Sequence, residues 1–172
     1  KFPKTKVIGI DRDEAVISRA NELQKKYQKR FKFYQIKFSE LDKILNKNAD
    51  TIIFDLGLSS IQLKNLNRGF SFKSKNKLDM AMGLNNISAQ EAVNNLSEKH
   101  LKLIIKILGE ETEASNIAKN IIKARSEKKI TKVTELVKII EKSKKKNFSS
   151  KINPSTKTFQ ALRIYVNKEI SE

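Results

Sequence analysis

The sequence predicts an α/β protein in which a small parallel sheet is followed by a long helical segment. The first 64 residues hold three short apolar runs that alternate with helical patterns, as is typical of parallel strands joined by helices. Apolar residues then recur at helical spacing in the rest of the chain. We therefore predict an α/β portion over residues 1–64, an all-helical insert over 65–150, and a helix over 151–172 that returns to the α/β portion.

Five elements are predicted in the α/β portion, in the order strand, helix, strand, helix, strand. The first strand, TKVIGI, ends before Asp11, and apolar spacing places a helix from about Asp13 to Lys29. The aromatic-rich run from Phe31 to Phe38 predicts the second strand. Ser39 is expected to cap a short helix, and DTIIFD, which ends at Asp55, predicts the third strand.

Capping residues mark the starts of the helices predicted in the insert. Ser88 and Glu91 have the spacing of a capping box, and Ser97 is expected to cap the next helix. A third helix is predicted around Ala114–Ile122, and a fourth begins at Thr131 or Thr134. The preceding stretch, NLNRGFSFKSKNKLDMAMGLNN, has no sustained period and is predicted to be an ordered loop.

The charge balance favours a polyanionic partner. The chain carries 36 Lys and Arg against 19 Asp and Glu, a net charge of +17. Between Lys119 and Lys151 there are twelve basic and three acidic residues, a net of +9. This concentration predicts a basic face, for RNA or DNA most often or for an anionic membrane surface. The run Lys144, Lys145 and Lys146 supplies the candidate contacts with RNA.

Composition excludes several other classes of protein. The chain has no cysteine and one histidine, which excludes a disulfide framework and argues against a zinc site. No apolar run approaches the roughly 18 residues of a membrane span, and the first residues do not resemble a signal peptide. We expect a cytoplasmic protein that binds no metal.

The chemistry is predicted at the ends of the strands, because open parallel sheets bind ligands there. Asp11 is placed to accept hydrogen bonds from a ribose, although Asp11 with Glu14 also fits a capping box. Phe38 is placed to stack on a base or to pack in the core. Asp55 lies beside Gly57, which leaves room for a ligand or a turn. No G-x-G loop is present among the five glycines.

Four motifs resemble one family of enzymes. FDLGLSSIQL, NRGFSF, KLDMAM and NPSTKTFQALRIYVNKE together resemble the RsmH/MraW family of bacterial 16S ribosomal RNA cytosine methyltransferases. The resemblance covers nearly the whole chain. It implies transfer of a methyl group from S-adenosylmethionine to the exocyclic amino nitrogen of a cytosine in the decoding region. The implied partner is the small ribosomal subunit.

The resemblance also implies a fold and a set of site residues. The fold is a Rossmann-like class I methyltransferase with a helical insert. Cofactor contacts are implied at Asp11 for the ribose, at Phe38 near the adenine, and at Asp55 and Gln62 around the remainder. Asp55 is further expected to act in catalysis, by accepting a hydrogen bond from the cytosine amino group.

Some family features are absent from this sequence. The family has a Gly-Gly-His cofactor loop upstream and further strands downstream, so we expect the chain to be an internal fragment that is inactive by itself. Asn153 stands where histidine is usual, Ile61 where proline is common, and Ala81 where the family has a basic residue. These departures concern contacts with RNA and leave the four cofactor positions unchanged.

Two other functions fit parts of the sequence. A nicotinamide-dependent dehydrogenase would use Asp11 on the adenosine ribose, and a test of cofactor choice separates it from a methyltransferase. A non-catalytic RNA-binding protein would need only the basic helices. The long motifs argue against the dehydrogenase, whereas the RNA-binding protein gains weight if the upstream cofactor loop is absent from the natural gene, which the flanking coding sequence would show.

Overall fold

The computed structural model describes residues 4–45, 49–84, 87–144 and 152–170. These residues form two compact units. The first contains 4–45, 49–57 and Met82–Leu84, and the second contains Leu58–Ala81, 87–144 and 152–170. The mixed α/β class is confirmed, since one unit holds a parallel sheet and the other is helical. The predicted domain limits at residues 64 and 150 remain predictions.

A two-stranded parallel sheet organises the first unit. Strands β1 (Val7–Ile10) and β2 (Phe31–Tyr34) pair along their full length. The helix α1 (Ile17–Tyr27) connects them and packs against β2. Both strands end at the same edge, where the backbone N–H of Asp11 donates to the carbonyl of Tyr34 at 3.4 Å. This edge holds the first predicted site residue.

The prediction of a third strand is wrong for this structure. Residues 51–56 form no strand, and the side chains of Ile53 and Phe54 are 86% and 59% exposed. An extended segment becomes a strand only when a neighbour pairs with its N–H and C=O groups. In the described part of the chain, β1 and β2 pair with each other and with no third strand.

The second strand is shorter than predicted. It ends at Tyr34, and a 3₁₀ turn occupies Phe38–Lys43, where the sequence predicts a helix capped by Ser39. Strand pairing stops after Tyr34, and the backbone turns at Phe38, directly after the still extended Lys37. Phe38 therefore begins a helical turn and does not end a strand.

Six helices form the second unit in its described residues. The four helices predicted in the insert and the last helix are all present, and a short helix precedes the loop. Their bounds are α2 (Ser60–Lys64), α3 (Ala89–Asn95), α4 (Glu98–Leu108), α5 (Ala114–Glu127), α6 (Val133–Ser143) and α7 (Thr156–Asn167).

The core of the second unit lies where α4 packs on α5 and α7, and α5 packs on α6. Apolar residues three and four apart fall on one side of a helix, and their side chains fill this space. The largest of them are fully buried: Leu101, Ile105, Ile117, Ile121, Leu136, Ile140 and Leu162. The last helix thus packs on the helices of this unit, and its predicted return to the α/β portion stays a prediction.

The loop that follows α2 is ordered, as predicted, over residues 65–84, where hydrogen bonds connect Arg68 with Met80 and Ala81; residues 85 and 86 lie outside the described residues. Arg68 donates to the carbonyl of Ala81 at 2.8 Å, and the N–H of Met80 donates to the carbonyl of Arg68 at 2.9 Å. Asn167 on α7 donates to the carbonyl of Met80 at 2.8 Å. Met80 is fully buried and has a φ of +60°, a conformation that these three bonds hold in place.

In the described residues, no helix is long and apolar enough to cross a membrane.

Candidate functional site

Asp11 directly follows β1, where the sequence places it. Its carboxylate is partly buried, and Oδ1 accepts a hydrogen bond from the N–H of Asp13 at 2.7 Å. Asp13 is the residue that caps the helical turn, because its Oδ1 accepts from the N–H of Ala15 at 3.0 Å. The alternative capping box of Asp11 with Glu14 is therefore not formed, and Asp11 stands outside the helix.

The surroundings of Asp11 alter its acidity. Burial raises the pKa of the Asp11 carboxyl above its ordinary value of 3.8. The hydrogen bond from the N–H of Asp13 and the charge of Arg12 act in the opposite direction, whereas the negative charge of Asp13 adds to the rise in pKa. A carboxylate that has lost contact with water is stabilised by further hydrogen-bond donors. Asp11 is thus suited to accept hydrogen bonds from ligand hydroxyls.

Met82–Leu84 lies against the residues that follow Asp11, a contact that sequence reasoning missed. Gly83 has a φ of +25°, and a Cβ at this position would collide with the carbonyl oxygen of Arg12. The guanidinium of Arg12 donates to the sulfur of Met82 at 3.8 Å, and Gln35 donates to the carbonyl of Arg12 at 3.4 Å. Gly83, directly after the motif KLDMAM, signals that another part of the backbone comes close. The sequence does not show which part, because Arg12 lies some 70 residues away.

Phe38 packs edge to face against Phe54, with ring centroids 6.0 Å apart and an angle of 77° between the rings. This is a favourable geometry for two aromatic rings. The contact joins the turn after β2 to the segment that carries Asp55. Phe38 and Asp55 therefore belong to one corner of the first unit, although neither ends a strand.

Asp55 is exposed and lies two residues before Gly57. Gly57 has a φ of +109°, which favours glycine, and a Cβ built there would meet no atom within 4 Å. The chain beside Asp55 is therefore open, as the sequence predicts. An exposed carboxylate with space around it can accept a hydrogen bond from an amino group.

Gln62 belongs to the second unit and is 6% exposed. Its side-chain oxygen accepts from the N–H of Ser59 at 3.0 Å, and its own N–H donates to the hydroxyl of Ser59 at 3.2 Å. These bonds form a capping box at the start of α2. The sequence carried this signal, S-x-x-Q, and it gives Gln62 a structural role beside the proposed contact with a cofactor.

Lys144 also has a structural partner. Its ammonium donates to Glu111 at 2.6 Å and to the carbonyl of Pro154 at 3.0 Å, and its side chain is 20% exposed. Glu111 is 2% exposed, so this ion pair is largely shielded from water. Lys145 and Lys146 lie outside the described residues. The contacts of this run with RNA remain predictions.

Other lysines of the basic segment point into solvent. Two pairs have a spacing of four residues and are exposed: Lys119 with Lys123 on α5, and Lys138 with Lys142 on α6. Residues with this spacing lie on one side of a helix. Each pair therefore presents two positive charges side by side on one helix.

Comparison with known proteins identifies a family. The sequence matches the MraW methylase family over residues 1–172. It is 45% identical over 171 residues to ribosomal RNA small subunit methyltransferase H of Orientia tsutsugamushi (strain Boryong), a match that covers 96% of this chain and 55% of that protein.

Two further relatives carry the same name. The protein of Rickettsia africae (strain ESF-5) is 42% identical over 167 residues, covering 96% of this chain and 54% of its own length. The protein of Bartonella tribocorum (strain CIP 105476 / IBS 506) is 40% identical over 166 residues, covering 96% and 50%. The chain therefore spans about half the length of the curated relatives it matches.

Proposed function

Because the chain belongs to the MraW methylase family, we propose that it acts in the transfer of a methyl group from S-adenosylmethionine to 16S ribosomal RNA. The proposed target is the exocyclic amino nitrogen of a cytosine in the decoding region, and the proposed location is the cytoplasm. The observation that carries the proposal is the family match over the whole chain. The small parallel sheet with its helices is consistent with the Rossmann-like fold of methyltransferases.

The first unit supplies residues that fit an adenosine-containing cofactor. Asp11 follows a parallel strand, and its partly buried carboxylate has one oxygen bonded to the N–H of Asp13 at 2.7 Å. A carboxylate in this position can accept hydrogen bonds from ribose hydroxyls. Phe38 adds an aromatic ring that can pack on the adenine. The bound cofactor supplies an electrophilic methyl group.

Asp55 is proposed to act on the amino group of the cytosine. The lone pair of this nitrogen is delocalised into the ring, which makes it a weak nucleophile. A hydrogen bond from the amino group to the exposed carboxylate of Asp55 favours the pyramidal nitrogen that attacks. A bound cofactor would supply the methyl group, Asp55 would hold the amino group while its nitrogen takes up that methyl group, and the amino proton would pass to solvent. Gln62 is proposed to complete the cofactor contacts, in addition to its role in the capping box.

A methyl-transfer assay tests the proposal. The enzyme is prepared at the length of its relatives with this sequence included. It is incubated with S-adenosylmethionine that carries tritium in its methyl group and, in separate reactions, with small ribosomal subunits that lack the modification or with large ribosomal subunits. We expect label in 16S RNA and none in large-subunit RNA. Label in neither RNA, from a folded protein that binds small-subunit RNA, would contradict the proposal and favour a non-catalytic RNA-binding protein.

A further inference from the structure

Two buried hydroxyl groups lack a hydrogen bond. In the part of the chain that the structure describes, the only buried side-chain nitrogen or oxygen atoms without a partner are Ser155 Oγ and Thr158 Oγ1. Both residues are completely buried. Buried polar groups are almost always hydrogen-bonded, because an unmade bond costs free energy. Two such groups within four residues therefore point to a missing partner.

Both hydroxyls belong to the first turn of α7. Ser155 is the residue that precedes the helix, and Thr158 is the third residue within it. Side chains three residues apart lie on the same side of a helix. The hydroxyl of Ser155 does not cap the helix, and its N–H donates to Asn153 Oδ1 at 2.9 Å. The first N–H groups of a helix have no acceptor in the helix itself and form its positive end.

Two lysine ammonium groups lie beside this turn. Lys144 donates to the carbonyl of Pro154, which directly precedes Ser155, but its charge is balanced by Glu111. Lys157 donates to the carbonyl of Glu110 at 2.9 Å. A carbonyl is neutral, and within residues 4–45, 49–84, 87–144 and 152–170 Lys157 forms no ion pair. The N–H of Thr156 donates to the carbonyl of Asn153 at 3.0 Å, so the first turn of α7 offers a ligand the two hydroxyls and the positive charge of Lys157.

We infer that the first turn of α7 binds a phosphate group through the hydroxyls of Ser155 and Thr158, with Lys157 beside it. A helix N-terminus is a natural site for phosphate, and the two unpartnered hydroxyls are the donors that such a ligand would use. Rotation about χ1 moves a serine or threonine hydroxyl between staggered positions, so each hydroxyl can change its direction when a ligand binds. The inference rests on the proposed function in one respect: the phosphate is that of an RNA backbone.

Nuclear magnetic resonance of the 172-residue chain tests this site directly. The chain is labelled with ¹⁵N and titrated with sodium phosphate, with sodium chloride of equal ionic strength as the control. We expect saturable shifts of the amide signals of Ser155, Lys157 and Thr158 in phosphate and not in chloride. The absence of such shifts would overturn the inference.

Substitutions then separate a ligand site from a packing defect. Ser155→Ala with Thr158→Val removes both hydroxyls and nearly keeps the volume, and Thr156→Val is the matched control on the same turn. We expect the double variant to bind phosphate and an RNA oligonucleotide about tenfold more weakly or worse, and the control to bind as before. Unchanged affinities with a higher Tm would show that the hydroxyls are only packing defects, and would overturn the site.

Further variants test the site if the double variant fails to fold, and RNA binding tests whether the phosphate belongs to RNA. If the double variant does not fold, Lys157→Gln must still weaken phosphate binding, and Thr158→Ser must keep it. Phosphate binding with unchanged RNA affinity in the variants would overturn the assignment to RNA. The methyl-transfer assay decides the proposed function independently, because an enzyme can methylate RNA without using this turn.

Discussion

Asp11 is the residue on which the proposed cofactor contact depends. Its carboxylate follows β1, outside the helical turn that Asp13 caps. Asp11→Asn keeps the shape but replaces charge-assisted hydrogen bonds by weaker ones. We expect the affinity for S-adenosylmethionine to fall about tenfold to a hundredfold, or about 1.5 to 3 kcal/mol. Calorimetric titration of the enzyme at the length of its relatives measures this loss, and Asp42→Asn, at an exposed position, is the control.

The raised pKa of Asp11 predicts a pH dependence of the same affinity. Hydrogen bonds from ribose hydroxyls favour the ionised carboxylate, so binding is strongest above the pKa of Asp11 and weakens as the pH falls through it. Because burial raises this pKa above 3.8, the loss begins at a higher pH than for an ordinary aspartate. Titrations at several pH values check this. A similar pH dependence in Asp11→Asn would assign the effect to another group.

Asp55 is the residue proposed to act on the amino group. We expect Asp55→Asn to lower the rate of methyl transfer about a hundredfold or more, as for other groups that stabilise charge in a transition state. The exposure of Asp55 predicts that the fold is unaffected. Single-turnover rates and a circular dichroism spectrum measure both effects, with Asp50→Asn, also exposed, as the control. A normal rate would remove Asp55 from the mechanism.

At the scale of elements, the start of α6 depends on Glu135. Its carboxylate accepts hydrogen bonds from the N–H groups of Thr131 at 2.8 Å and Lys132 at 3.0 Å. The bond from Thr131 contributes most to lowering the pKa of Glu135 from 4.5 to about 2. We expect Glu135→Gln to lower the free energy of unfolding by about 1 kcal/mol at pH 7, as for the loss of a helix cap.

The low pKa of Glu135 determines how the stability of the fold changes with pH. A carboxyl whose pKa is lower in the folded state stabilises the fold above pH 4.5, and this contribution is lost as the pH falls from 4.5 toward 2. Thermal unfolding of the wild type should show the loss in this range, and Glu135→Gln should lack this part of it. Glu141→Gln, at an exposed position on α6, is the control and should unfold like the wild type.

Elements fixed by local interactions were predictable from the sequence. The capping box of Ser88 with Glu91 and the cap by Ser97 are both formed, because each needs only neighbouring residues. That residues 51–56 form no strand was not predictable, because strand formation depends on a pairing partner that the local pattern does not reveal. In the site, the position of Asp11 was predictable because Asp11 directly follows β1. The close approach of Gly83 to Arg12 was not predictable, because these residues are far apart in the sequence.

At the scale of the whole molecule, the structure changes which lysines are the best candidates for contact with RNA. Lys144 is paired with the buried Glu111, whereas Lys138 and Lys142 are exposed on α6. Affinity for RNA should fall with salt, as counterions are released on binding. We expect Lys138→Gln with Lys142→Gln to reduce the slope of log K against log salt by about 0.7 for each lost phosphate contact.

Filter binding to 16S RNA over a range of salt concentrations measures this slope. Lys25→Gln with Lys26→Gln makes the same change in net charge on α1 and is the control. If both double variants change the slope equally, the effect is due to net charge and not to a basic surface on α6. A slope unchanged by the α6 variant would place the RNA surface elsewhere.

The central claim is that this chain forms part of an enzyme that methylates a cytosine amino group in small-subunit RNA. The most direct measurement is mass spectrometry of the nucleosides released from 16S RNA after incubation with S-adenosylmethionine and the enzyme at the length of its relatives. We predict cytidine with the methyl group on its exocyclic nitrogen, and much less of it with Asp55→Asn after the same incubation time. A methyl group on a ring carbon, on the ribose or on another base would contradict the account.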